Sequence, residues 1–187
     1  MSRSFFNAHS LKNMWQAYSV QTVMGVLMLY MCSQIVIPIQ PVPITLQTLG
    51  VMLVALTLPR RAALHSILTY VILGVAGLPI LAGGAGGLGK LFGPTGGYLI
   101  GFILAVWAML SIRPLFERFF KHPAVVIFST CCIGSLCIYL PGVAWLSYYL
   151  GSLAQGMTLG FIPFIIPGIV KTILLSGALG IIHNKKD

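Results

Sequence analysis

Gly77 to Phe102 reads GLPILAGGAGGLGKLFGPTGGYLIGF, and it divides the chain. Gly costs about 1 kcal/mol per helix position relative to Ala, and Pro about 3, so no continuous helix crosses this stretch. Its apolar content is equally wrong for a solvated loop, and long apolar runs lie on both sides of it. At membrane depth, irregular backbone is tolerated only where it is buried in protein or lines a cavity. The segment is therefore expected to cover or line a small-molecule pocket inside a membrane domain.

Composition agrees. Of 187 residues, 58% are hydrophobic and 7% are charged, and the mean hydropathy is +0.98. A soluble domain of this size cannot bury so much apolar surface, so the long apolar runs read as transmembrane helices. Eleven Lys and Arg stand against two acids, Glu117 and Asp187. In a soluble chain that imbalance would suggest nucleic acid. Here the cations sit between oily runs, where the positive-inside rule accounts for them, and nucleic-acid binding is set aside. Cys32, Cys131, Cys132 and Cys137 all lie in apolar runs without a Cys-x-x-Cys. They behave as small hydrophobes rather than as a disulfide or zinc framework. His9, His65, His122 and His183 are scattered and propose no metal site.

The chain reads as one membrane domain, with a basic tail at 1–14 and a core of six spans at about 15–182. The expected spans are Trp15–Ile37, Ile44–Leu58, Ala62–Leu78, Gly96–Ile112, Ala124–Leu140 and Leu159–Ile182. Pro38, Pro41 and Pro43 form an extended connector after the first. A charged loop, Arg113 to Pro123, follows the fourth, and the fifth is expected to stop near Pro141-Gly142. Val143–Thr158 reads as a short interfacial helix, and Pro163 and Pro167 as early interruptions of the sixth span. With the N-terminus inside, Arg3, Lys12, Arg60, Arg61, Arg113, Arg118, Lys121, Lys185 and Lys186 all fall on the cytoplasmic side. The outer connectors then hold only Lys90. This partition needs an even number of spans with both termini cytoplasmic. It places the Pro-rich connector, the Gly-rich segment and the Trp145 region together on the outer face.

Two nucleotide motifs inside the Gly-rich segment are rejected. Gly84-x-Gly86-x-x-Gly89 lacks the strand that a dinucleotide site requires. Gly84 to Lys90 lacks the hydroxyl that a P-loop places after its Lys, since Leu91 stands there. Gly96, Gly97 and Gly101 enter a span and suit close helix packing. Gly83, Gly84, Gly86 and Gly87 do not, and bare backbone there suits contact with a ligand. Lys171 is the sharpest single residue, because a lysine inside a span costs about 2.5 kcal/mol or more and marks function by default. Neither acid lies on its side of the expected topology. It is left to pair with an anionic ligand, to bond carbonyls freed by Pro163 and Pro167, or to sit neutral. Gln47 is the best amide candidate, able to donate and accept toward a urea or amide, or to bridge two helices. Tyr98, Trp145 and Tyr149 can wall an apolar ring or belong to an interfacial belt. No nucleophile–base or carboxylate pair can be assembled, which argues against hydrolase chemistry.

Pro41-Val42-Pro43-Ile44-Thr45-Leu46-Gln47-Thr48-Leu49-Gly50, Gly77-Leu78-Pro79, Ala82 to Gly89 and Gly93-Pro94-Thr95-Gly96-Gly97-Tyr98 together resemble the signature of the BioY family, over about residues 30 to 182. These are the biotin-binding S components of energy-coupling factor transporters. The resemblance implies an all-α, six-helix S-component fold in the cell membrane that captures biotin from outside. It implies a separate T component and two cytosolic ATPases as partners, no enzymatic activity, and no resident cofactor, biotin being the cargo. It adds Pro43, Ala85 and Thr95 to the candidate ligand contacts, beside Lys171, Gln47, Gly83, Gly84, Gly86, Tyr98, Trp145 and Tyr149.

The chain departs from the family pattern in three places. Where the last span of the family commonly reads Pro-Phe-Ile-Pro-Gly-Asp-x-x-Lys, this one reads Pro163-Phe164-Ile165-Ile166-Pro167-Gly168-Ile169-Val170-Lys171. With Pro163 and Lys171 matched, Gly168 stands at the ligand-binding aspartate. The first span offers Gly25 and Ser33 in place of an Ala-x-x-x-Ala docking pattern, and Ala85 stands where some relatives carry a polar residue. Capture of another vitamin or of a biotin precursor is the alternative that the missing aspartate raises. A membrane enzyme acting on lipid and a purely structural assembly subunit are the alternatives from other classes.

Overall fold

The structure, a computed structural model, describes residues 8–184, with side chains from 16 to 182. Arg3, Lys12, Lys185, Lys186 and Asp187, which enter the charge partition, lie outside the described side chains. In chain order the elements are α1 (Ala8–Gln34), β1 (Val36–Ile37), β2 (Ile44–Thr45), α2 (Gln47–Thr57) and α3 (Arg60–Val75). A 3-10 turn at Ala82–Gly84 follows, then α4 (Leu88–Phe92), α5 (Gly96–Phe119), α6 (Pro123–Leu150), α7 (Leu153–Gly160) and α8 (Ile162–Asn184). Six principal helices, α1, α2, α3, α5, α6 and α8, make the bundle, and α4 and α7 are short. Gly96–Phe119, Pro123–Leu150 and Leu153–Ile182 are long and apolar enough to cross a membrane.

Several boundaries differ from the sequence expectation. The first helix already covers residues 8–14, inside the basic tail. The connector is not simply extended: Val36 and Ile37 pair antiparallel with Thr45 and Ile44, so Pro38–Pro43 is the loop of a small hairpin. This leaves α2 with 11 residues, about 16 Å at 1.5 Å per residue. That is about half of the bilayer's hydrocarbon thickness, so the hairpin dips into the bundle. The charged loop is mostly helix, since α5 continues to Phe119. Arg113 is tied there by Glu117 at 2.8 Å and by the Leu56 carbonyl at 3.0 Å. Likewise α6 does not stop at Pro141 but runs through it to Leu150. A proline removes one ladder bond, and packing against a neighbouring helix offsets that loss. Residues 143–150 thus extend α6, and the separate short helix is Leu153–Gly160. Pro163 sits in the first turn of α8, where its missing N–H costs nothing, leaving Pro167 as that helix's internal proline.

The bundle is knit by α5 against α6, α6 against α8 and α1 against α3, with α2 touching α1, α5 and α8 from within. Gly101 lets α5 and α6 touch backbone to backbone, since a Cβ there would meet Ile138 Cα at 2.8 Å. Arg60 Nη1 reaches the Leu110 carbonyl at 3.3 Å, which gathers the cations of the α2–α3 turn and of α5 at one end. The hairpin and the Gly-rich segment close the other end.

Candidate functional site

Residue by residue, the closed end encloses a cavity of about 280 Å³. Its floor is polar and buried. Lys171 is 8% exposed and Gln47 is 4% exposed. Lys171 Nζ donates to the Thr45 carbonyl at 2.6 Å and to Thr48 Oγ1 at 3.0 Å. The ammonium is therefore held by the β2–α2 corner, not by carbonyls next to Pro163 and Pro167. Thr45 Oγ1 accepts from the Gln47 backbone N–H at 3.1 Å, so the corner that holds the lysine also starts the helix.

Gln47 bridges helices at the cavity floor. Its Nε2 donates to Tyr70 Oη at 2.6 Å, and Tyr70 Oη donates to the Ile80 carbonyl at 2.9 Å. Ser33 Oγ donates to the same carbonyl at 2.7 Å. This chain of bonds links α1, α2 and α3 to the start of the Gly-rich segment, while Gln47 also lines the cavity.

The Gly-rich segment forms a lid. Leu81 N–H donates to the Ala85 carbonyl at 2.9 Å, and Gly87 N–H donates to the Gly74 carbonyl at 2.7 Å, tying it to the end of α3. Gly83 and Gly84 have φ of 66° and 73°, a region where only glycine is comfortable. They shape the turn and do not line the cavity. Ala85 and Gly86 do line it, along with Gly89 and Lys90. Lys90 is exposed, at the rim.

The aromatic wall comes from α5, α6 and α8. Tyr98, Tyr139 and Phe164 all line the cavity. The Phe164 ring lies 6.2 Å from Tyr98 and 6.1 Å from Tyr139, within the range of favourable aromatic pairs. Tyr98 Oη donates to the Gly160 carbonyl at 2.7 Å, which fixes its ring. Tyr139 Oη has no hydrogen bond to any described residue. A Cβ at Gly168 would stand 3.2 Å from it, and Gly168 is not part of the cavity lining.

Of the expected contacts, Pro43, Gln47, Ala85, Gly86, Thr95, Tyr98 and Lys171 converge on this cavity. Gly83, Gly84, Trp145 and Tyr149 do not. Trp145 instead donates its indole N–H to the Gly93 carbonyl at 2.9 Å, bracing the turn before α5. Tyr149 is 54% exposed on the outside of the bundle. Sequence reasoning missed Thr45, Thr48, Lys90, Tyr139 and Phe164. Thr45 and Thr48 flank Gln47 and share its motif, and Lys90 was visible as a lone cation in the lid. Nothing in the apolar run around Tyr139 marks it out.

A family model described as the BioY family matches residues 5–186 of this chain. The chain belongs to the BioY family. Its relatives include the probable biotin transporter BioY of Rickettsia prowazekii, 34% identical over 89% of this chain and 84% of that protein. The biotin transporter BioY2 of Lactococcus lactis is 36% identical over 85% of this chain and 86% of its own length. In fold, this BioY-family chain is similar to the crystal structure of the S component for biotin from an ECF-type ABC transporter. The TM-score is 0.74 and the identity 23%, with 97% of this chain and 95% of that one covered. The fold is the S-component fold, as the sequence motifs implied.

Proposed function

We propose that this chain is the membrane-embedded subunit that binds biotin for uptake, captures it from outside the cell membrane, and delivers it inward with a separate T component and two ATPases. It is a transporter subunit and not an enzyme, and the reading requires no resident cofactor. The observation that carries it is the polarity of the cavity: a buried hydrogen-bonding floor, an aromatic wall and a cation at the rim. Biotin has the matching order, with a ureido ring at one end, an apolar thioether ring and chain between, and a carboxylate at the other. Apolar pockets with a few placed polar groups are the usual form of small-molecule sites. In this pose the ureido group meets Lys171, Gln47, Thr48 and Tyr139, the ring stacks on Phe164 and Tyr98, and the carboxylate reaches Lys90. The Gly-rich lid and the Pro38–Pro43 loop face the outside, and both termini are cytoplasmic, in keeping with the cations at the opposite end.

Equilibrium binding of labelled biotin to the detergent-purified chain tests the proposal. Saturable binding, displaced by unlabelled biotin, is expected, and no saturable binding refutes it. The competing reading is capture of a biotin precursor or another vitamin. Dethiobiotin or lipoate competing better than biotin would establish that reading instead.

A further inference from the structure

At the end of the bundle away from the cavity, α1 and α3 separate. They meet at Gly25, where a Cβ would stand 2.7 Å from Ser66 Cβ, and Ser66 Oγ in turn donates to the Thr22 carbonyl at 3.0 Å. Beyond that crossing a groove of about 1160 Å³ opens between residues 17–23 of α1 and the first turns of α3. Its rim is polar and cationic, with Arg60, Arg61, His65, Tyr18 and Gln21. Arg60 is anchored to the Leu110 carbonyl and to Ser111 Oγ, each at 3.3 Å. Arg61 is exposed and has no hydrogen bond or ion pair to any described residue. His65 follows it by four positions, on the same helix face, and stands edge-on to Tyr18 with ring centroids 5.5 Å apart. The one acid among the described residues, Glu117, is already paired with Arg113.

Past the crossing, both helices carry exposed apolar residues on their outer faces. On α1, Val23, Leu27 and Met31 are 58%, 55% and 66% exposed, and on α3 Leu68 and Ile72 are 37% and 63% exposed. These positions follow at helical spacing from the polar rim. Cations over parallel apolar stripes complement an acidic lipid, with the phosphate at the rim and the acyl chains along the helices. Basic pockets between transmembrane helices are a recurrent form of acidic-lipid site, and a guanidinium matches a phosphate bidentately.

We propose that Arg61 and His65, with Arg60 behind them, hold the phosphodiester of an anionic phospholipid in the groove between α1 and α3. This site is independent of which ligand the cavity takes. The test is lipid retention. The chain is equilibrated in nanodiscs of mixed phosphatidylglycerol and phosphatidylcholine, extracted into mild detergent, and its retained lipids counted by native mass spectrometry. Phosphatidylglycerol is expected to be retained preferentially. Arg61→Gln combined with His65→Gln should lower that retention about tenfold, the low end of one lost charge-assisted bond. Lys121→Gln, an exposed cation outside the groove, should leave it unchanged, and a matching thermal unfolding midpoint establishes that each variant is folded. Equal retention of the two lipids, or an equal loss with Lys121→Gln, overturns the site. Displacement of the lipid by inorganic phosphate overturns the lipid assignment in favour of a soluble phosphate.

Discussion

Lys171 of α8 donates to the carbonyl of Thr45 at 2.6 Å, across 126 residues of sequence. That bond, with the one to Thr48 Oγ1, explains how a cation persists in the bundle without a carboxylate. A central lysine costs about 2.5–3.5 kcal/mol by insertion scales, while a hydrogen bond to a charged group contributes about 1.5–3 kcal/mol. Two such bonds are enough to offset the cost. They neutralise no charge and leave one N–H unused, so the cavity floor keeps its attraction for an electron-rich oxygen.

Replacement of Lys171 by Met should therefore weaken biotin binding by about tenfold to a hundredfold or more, as one charge-assisted bond is lost. Lys171→Arg should also bind poorly, because a planar fork does not fit between Thr45 and Thr48. Equilibrium binding of labelled biotin measures both, and wild-type affinity in the Met variant would remove Lys171 from the site.

Tyr70→Phe tests the bond chain beneath the lid. Gln47 would lose its acceptor and the Ile80 carbonyl one of its two donors. An unsatisfied buried polar group costs about 1–3 kcal/mol. A lower unfolding midpoint and a weaker biotin affinity are expected together, although Tyr70 does not line the cavity. A loss of stability with unchanged affinity would show that Gln47 does not depend on this partner.

Lys90→Gln separates the two ends of the ligand. An exposed ion pair is worth about 0.2–1 kcal/mol, so biotin affinity should fall only about two- to fivefold. Affinity for biotin methyl ester, which lacks the carboxylate, should not change. The wild-type preference for the acid should also shrink as salt is raised. Equal losses for acid and ester would contradict the proposed pose.

Gly101→Leu tests the seam between α5 and α6. The added side chain meets the Ile138 backbone, which cannot move aside as a flexible side chain can. Overpacking of this kind costs about 1–3 kcal/mol, seen as a drop in the unfolding midpoint. Gly177→Ala should not lower it and should raise it slightly, since a Cβ there meets nothing within 4 Å and Ala gains about 1 kcal/mol over Gly inside a helix.

Lys171 and Gln47 were identifiable from sequence because each is an expensive group in an apolar run, and the expense does not depend on the neighbours. Trp145 and Tyr149 misled for the opposite reason. An aromatic ring is equally acceptable in a wall, a brace or a lipid-facing belt, and only the rotation of α6 against α5 tells these apart. Pro141 misled in a similar way: it breaks an isolated helix, but α6 is held along its length by α5 and α8.

Sequence alone determined an all-helical membrane chain with a Gly-rich break between apolar runs and a lysine within a span, and its motifs pointed to the S-component family. Hydropathy, proline and glycine act over one or two turns, so a linear string records them. Tertiary structure alone decided that Thr45 and Thr48 hold the lysine, that Tyr139 and Phe164 form the wall, and that Gly83 and Gly84 shape the lid without lining the cavity. Those outcomes depend on how helices far apart in sequence turn their faces toward one another, and packing of the whole bundle sets that rotation.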